Sequence, residues 1–89
     1  MSEKEQVSIN KTEYRALNEL RGLPEAAHYM VILAEEDSGG GYVLEGTDEA
    51  FDDLASYINE EITYELSPKR RIKTLRRLFD KVAPQYEDF

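Results

Sequence analysis

The clearest periodic pattern of apolar residues lies in the second half of the chain. It places Phe51, Leu54, Ala55, Ile58 and Ile62 on one face of a helix, at the spacing i, i+3, i+4, i+7 and i+11. Thr47 or Asp48 can cap the N-terminus of this helix, and acidic residues fill its first turn, where the helix dipole favours negative charge. The pattern predicts a helix over about 48–62.

Two further helices are indicated by their start and stop signals. Asn10 and Glu13 have the spacing of a capping box, and Gly22 is a typical residue just past a helix end, so a helix is predicted at about 11–21. Ser67 followed by Pro68 indicates another start, with Ser67 as N-cap and Pro68 as first helical residue. The apolar residues that follow predict a helix over about 68–82: Ile72, Leu75, Leu78, Phe79 and Val82.

The remaining apolar segments favour strands. Residues 28–34 form a short run of apolar and β-favouring side chains, and 42–45 form a second one. The acidic and glycine-rich segment 35–41 between them predicts an antiparallel hairpin with a flexible loop. A third short strand is possible near 6–9. The predicted order is (β)αββαα, an α+β fold with a small antiparallel sheet packed on three helices.

Length and composition limit the possibilities further. Eighty-nine residues make a single domain, 1–89, with mobile tails expected at 1–6 and 85–89. The chain has no Cys, which excludes disulfides and thiolate metal sites, and no apolar run approaches the ~20 residues of a membrane span. These features favour a cytoplasmic protein that does not associate with membranes.

The charge distribution is the most informative feature of the sequence. Residues 69–81 hold seven basic residues and one acid, a formal charge of +6, although the whole chain carries −8. The rest of the chain therefore carries −14. The basic cluster consists of Lys69, Arg70, Arg71, Lys73, Arg76, Arg77 and Lys81.

Three interpretations of this basic helix remain open. In the first, the last two helices fold back as a hairpin, and the residues Lys69 to Arg71 pair with Glu60, Glu61 and Glu65. In the second, the helix binds an acidic protein or the acidic face of another copy. Nucleic acid is the third possibility, although the strongly acidic remainder of the chain would repel phosphates.

The residues that carry chemistry are few and scattered. His28 is the only histidine, so no catalytic triad can be assembled around it. Gly39–Gly41 lacks the Lys and Ser/Thr of a phosphate-binding loop, and Asp48 with Asp52 is too small a set for a cation site. Tyr29 and Tyr42 could share a sheet face as stacking platforms for bases, but core or interface positions are favoured. No catalytic residue, metal site or cofactor is predicted.

The sequence therefore predicts a small non-enzymatic protein interaction or regulatory module of unknown pathway, with an unidentified protein partner. The alternative is a nucleic-acid-binding accessory protein that uses the helix 68–82. The candidate binding residues are Lys69, Arg70, Arg71, Lys73, Arg76 and Arg77. A homodimer joined through the sheet is also predicted, because the strand 28–34 would be apolar on both faces.

Overall fold

A computed structural model describes residues 5–82 and confirms the α+β fold. A three-stranded antiparallel sheet packs against four helices in the order βααββαα. The elements are β1 (Glu5–Ile9), α1 (Lys11–Glu19), α2 (Glu25–Ile32), β2 (Glu35–Glu36), β3 (Tyr42–Gly46), α3 (Asp48–Thr63) and α4 (Lys69–Val82). The three predicted helices thus occur as α1, α3 and α4, and the possible strand near 6–9 occurs as β1.

The sheet has the order β1-β3-β2, with β3 in the centre. Val7 pairs with Leu44 and Ile9 pairs with Tyr42, so these residues share the inner face of the sheet. Gln6 and Glu45 pair on the outer face, where the Gln6 amide donates to the Glu45 carboxylate at 3.0 Å. β1 begins at Glu5, so the strand includes the last two residues of the segment 1–6 that was predicted as a tail. The tail predicted at 85–89 lies outside the described residues.

The strand predicted at 28–34 is wrong. Residues 25–32 form helix α2, and only Glu35 and Glu36, further along the chain, pair with β3. The periodicity of α2 is helical, because Ala27, Met30 and Val31 are buried at i, i+3 and i+4. If 28–34 were a strand, with side chains alternating between its two faces, both faces would carry apolar residues. The helix resolves that pattern by burying one apolar stripe and leaving another exposed.

The core lies between the inner face of the sheet and the four helices. Its most deeply buried large apolar side chains come from four different elements, α1, β3, α3 and α4: Leu17, Leu44, Leu54, Ile58, Leu75 and Leu78. Helix α1 begins as predicted, with Asn10 as N-cap and Glu13 completing the capping box. Tyr14, in the first turn of α1, stacks on Tyr42 of β3 with ring centroids 3.7 Å apart. This stack joins the start of α1 to the central strand.

The loop between β2 and β3 is organised by one carboxylate. Oδ1 of Asp37 accepts hydrogen bonds from the backbone N–H groups of Gly39 and Gly41 at 2.8 and 3.0 Å. Gly40 has a φ of +88°, which L side chains rarely adopt. A Cβ on Gly41 would lie 2.5 Å from the carbonyl oxygen of Ile9. The predicted glycine loop is therefore a turn that needs glycine for its conformation and its close approach to β1.

Candidate functional site

Helix α4 separates its apolar and basic residues cleanly. Ile72, Leu75, Leu78 and Val82 are buried against the rest of the protein. Five of the six predicted binding residues are exposed on the opposite side, at positions three or four apart along the helix. We call this surface the basic face: Lys69, Arg70, Lys73, Arg76 and Arg77.

Arg71, the sixth predicted residue, turns away from the basic face. Its Nε lies 3.1 Å from Oε1 of Glu19 on α1, and its Nη1 donates to the hydroxyl of Ser67 at 3.3 Å. The Arg71 side chain is 25% exposed, whereas that of Glu19 is 59% exposed. The role of Arg71 in the fold is therefore to hold α4 against α1.

The turn between α3 and α4 brings Ser67 back to α3. Helix α3 ends in a Schellman motif, in which Leu66 N–H donates to the carbonyl of Glu61 and Glu65 adopts a left-handed φ of 51°. Ser67 is buried, and its hydroxyl donates to Oε1 of the buried Glu61 at 2.7 Å. Helix α4 begins at Lys69, and Pro68 directly precedes it. Ser67, the predicted N-cap, therefore lies one residue before the N-cap position.

These contacts change the predicted pairing of the two helix ends. Glu61 reaches the start of α4 through Ser67, and the ion pair of Arg71 is made with α1. Glu19 was not predicted as a partner, and its separation of 52 residues from Arg71 leaves no local signal in the sequence. Lys69 and Arg70 remain exposed to solvent.

A second ion pair holds the other end of α4. The ammonium group of Lys81 lies 2.7 Å from Oε1 of Glu13, whose side chain is only 2% exposed. The same carboxylate oxygen accepts the backbone N–H of Asn10 at 2.8 Å. Glu13 lies near the start of α1 and pairs with Lys81 near the end of α4. Glu19 lies at the end of α1 and pairs with Arg71 near the start of α4. The two helices therefore run antiparallel.

The exposed side of α3 has the opposite charge. Its first turns expose acidic residues at helical spacing, and one further acid lies near its end: Asp48, Glu49, Asp52, Asp53 and Glu60. Helices α3 and α4 pack directly on each other. The molecule therefore carries an acidic helix and a basic helix side by side.

The other side chains considered for chemistry in the sequence lie on α2, β3 and α3. His28 is exposed on α2, and its ring centroid lies 6.4 Å from that of Tyr29. Tyr29 also belongs to α2, so it does not share a sheet face with Tyr42 as the stacking interpretation required. Within residues 5–82, no group of three or more His, Cys, Asp or Glu side chains is placed to hold a metal ion.

An exposed apolar cluster lies at the end of α2. Tyr29 and Ile32 are each 55% exposed, and Leu33 is 71% exposed.

Of the helices in the described part of the chain, none is both long and apolar enough to cross a membrane. Comparison with known protein families, curated proteins and solved structures finds no match to this chain, so its function must be argued from these surfaces.

Proposed function

We propose that this chain is a small non-enzymatic interaction module of the cytoplasm, and that its basic face binds an acidic segment of a partner protein. The observation that carries the proposal is that the basic residues of α4 fall into two groups. Arg71 and Lys81 form ion pairs within the fold, whereas the five residues of the basic face are exposed. Exposed arginine and lysine at helical spacing are suited to steer and orient a negatively charged partner.

The same face supports the second candidate function, nucleic-acid binding. A helix with arginine and lysine on one side can approach phosphates or enter a major groove. The formal charge of −14 on the rest of the chain opposes this, because a polyanion would be repelled by the acidic surface of the neighbouring α3. A short acidic peptide contacts less of the protein surface and avoids most of this repulsion.

Selection from a random peptide library displayed on phage tests the proposal without knowledge of the partner. We expect the wild-type protein to enrich peptides rich in Asp and Glu. The triple variant Lys73→Glu, Arg76→Glu, Arg77→Glu should lose this enrichment, because it reverses the centre of the basic face. All three positions are exposed, so circular dichroism should show an unchanged fold.

A matched variant retains the charge of the three positions: Lys73→Arg, Arg76→Lys and Arg77→Lys. It should enrich acidic peptides as the wild type does. Equal enrichment by the reversed and charge-retaining variants would refute the basic face as the binding surface.

For the nucleic-acid alternative, 15N–1H spectra are recorded with short duplex DNA and single-stranded RNA. Salt-sensitive shifts confined to 69–81 would favour that function over the first.

We further propose that two copies of the chain associate. The sequence suggested a dimer because a strand at 28–34 would be apolar on both faces, but most of that segment is helical. Pairing of two copies through the edge strand β2 is also unfavourable, because it would bring the like charges of Glu35 and Glu36 together. The exposed Tyr29, Ile32 and Leu33 supply a different reason, since an apolar cluster on a helix end is stabilised by burial.

Light scattering at high micromolar concentration tests this association. We expect a mass near twice 10.3 kDa for the wild type and near 10.3 kDa for the Leu33→Glu variant. The variant should stay monomeric because a dimer would bury the new carboxylate without a partner. Leu66→Glu, which changes a comparably exposed leucine in the α3–α4 turn, is the control and should remain dimeric. A monomeric wild-type protein would exclude the dimer.

A further inference from the structure

A groove of about 340 Å³ lies between α1 and the start of α4. One wall is a single face of α1, at spacing i, i+3, i+4 and i+7, and the other is the first turn and a half of α4. Its charged lining consists of three arginines and one glutamate, Arg15, Arg70, Arg71 and Glu19, and Thr12 and Thr74 add hydroxyl groups. Arginines of two elements far apart in sequence therefore meet in one concave site.

The chemistry of the lining suits a carboxylate. A guanidinium presents several N–H donors in a planar fork that matches the two oxygens of a carboxylate. Arg15 and Arg70 are exposed, and the hydrogen bonds of Arg71 within residues 5–82 use Nε and Nη1, which leaves Nη2 as a donor. The groove has the volume of a small-ligand site, so it fits a few side chains and is too small for a duplex.

Resting on the proposed function, we propose that this groove is the specific part of the binding surface and that it holds carboxylate side chains of an acidic peptide. The outer residues of the basic face, Lys73, Arg76 and Arg77, attract the peptide at longer range. Arg15, Arg70 and Arg71 then fix its carboxylates by hydrogen bonds. Glu19 competes with the ligand, because its carboxylate already occupies Nε of Arg71 and is 59% exposed.

Fluorescence anisotropy with a fluorescein-labelled peptide of six glutamates measures the binding directly. We expect Arg15→Ala to weaken binding about tenfold, since it removes one charge-assisted fork from the groove. The matched control is Lys11→Ala, which removes the same charge from an exposed position of α1 outside the groove. Lys11→Ala should change the affinity by less than about twofold, which is the scale expected from screened charge alone.

A gain-of-binding variant separates the groove from a diffuse charge effect. Glu19→Gln should strengthen binding about threefold, because it releases Arg71 for the ligand. Glu60→Gln makes the same change of net charge on the exposed side of α3 and should leave the affinity unchanged. If Glu60→Gln and Glu19→Gln strengthen binding equally, the effect belongs to net charge and the groove is not the site.

The failures of the two proposals are distinguishable. If Arg15→Ala binds like Lys11→Ala while the reversal of Lys73, Arg76 and Arg77 abolishes binding, the groove is refuted and the basic face stands. If a single-stranded oligonucleotide binds more tightly than the glutamate peptide at 150 mM salt, about physiological ionic strength, both proposals are refuted. Loss of binding in Arg15→Ala together with a gain in Glu19→Gln, with both controls unchanged, establishes the groove.

Discussion

Replacing Lys81 with methionine is expected to destabilise the fold by about 3 kcal/mol, because an enclosed carboxylate would lose its charged hydrogen-bond donor. Methionine keeps the aliphatic part of the side chain, so the change isolates the charge. The carboxylate of Glu13 would remain in a position that is only 2% exposed, with the Asn10 N–H as its remaining hydrogen-bond donor. A domain of this size is stable by on the order of 5–10 kcal/mol, so the loss would be a large fraction of the total.

Neutralising the other partner of the ion pair, Glu13, is expected to cost less. Glu13→Gln keeps an oxygen that can accept the Asn10 N–H, and the ammonium group of Lys81, whose side chain is 40% exposed, can turn towards water. We expect about 1 kcal/mol, the value of one hydrogen bond to a charged group reduced to a neutral one. The asymmetry arises because the anion is enclosed and the cation is not.

Urea denaturation followed by circular dichroism measures both values. Lys73→Met is the control, because it makes the same substitution on the exposed face of α4 and should change the free energy of unfolding by less than about 0.5 kcal/mol. If Lys81→Met costs no more than Lys73→Met, the Glu13–Lys81 pair contributes nothing to the stability of the α1–α4 contact.

The local features of the fold could be predicted from the sequence because their signals are local. The capping box of Asn10 and Glu13 and the N-cap Thr47, whose hydroxyl accepts the Ala50 N–H, depend on residues three apart. The two ion pairs that hold α1 against α4 join residues 52 and 68 apart in the chain. One sequence contains no signal for such pairs, so Arg15 and Glu19 were not predicted to meet Arg70 and Arg71.

The strand at 28–34 was predicted wrongly for a different reason. Tyr, Val and Ile favour strands, and a run of seven residues is short for a helix. Tertiary packing decided otherwise, because a helix places Ala27, Met30 and Val31 together against α3 and β3. The methionine fits closely, since a Cβ on Gly46 would lie 2.6 Å from the sulfur of Met30. Pro24, which the sequence marks as the stop of the preceding helix, is also the N-cap residue of α2.

The substitution Tyr29→Pro should therefore unfold the protein or destabilise it by about 3 kcal/mol or more. Tyr29 lies inside α2, where a proline would remove the backbone N–H that donates to residue 25 and would clash with that carbonyl. The tyrosine side chain is 55% exposed, so its removal contributes little to this loss. If 28–34 were an edge strand with an outward N–H at this position, proline would be tolerated.

Tyr29→Ala separates the backbone effect from the side-chain effect. Alanine favours helices slightly more than tyrosine does, so this variant should unfold within about 0.5 kcal/mol of the wild type. Thermal and urea unfolding of the two variants give the difference directly, and it should be at least 2.5 kcal/mol if proline breaks the helix. Because Ala27, Met30 and Val31 reach the core only when the backbone is helical, a small difference would mean that this part of the core is formed in another way.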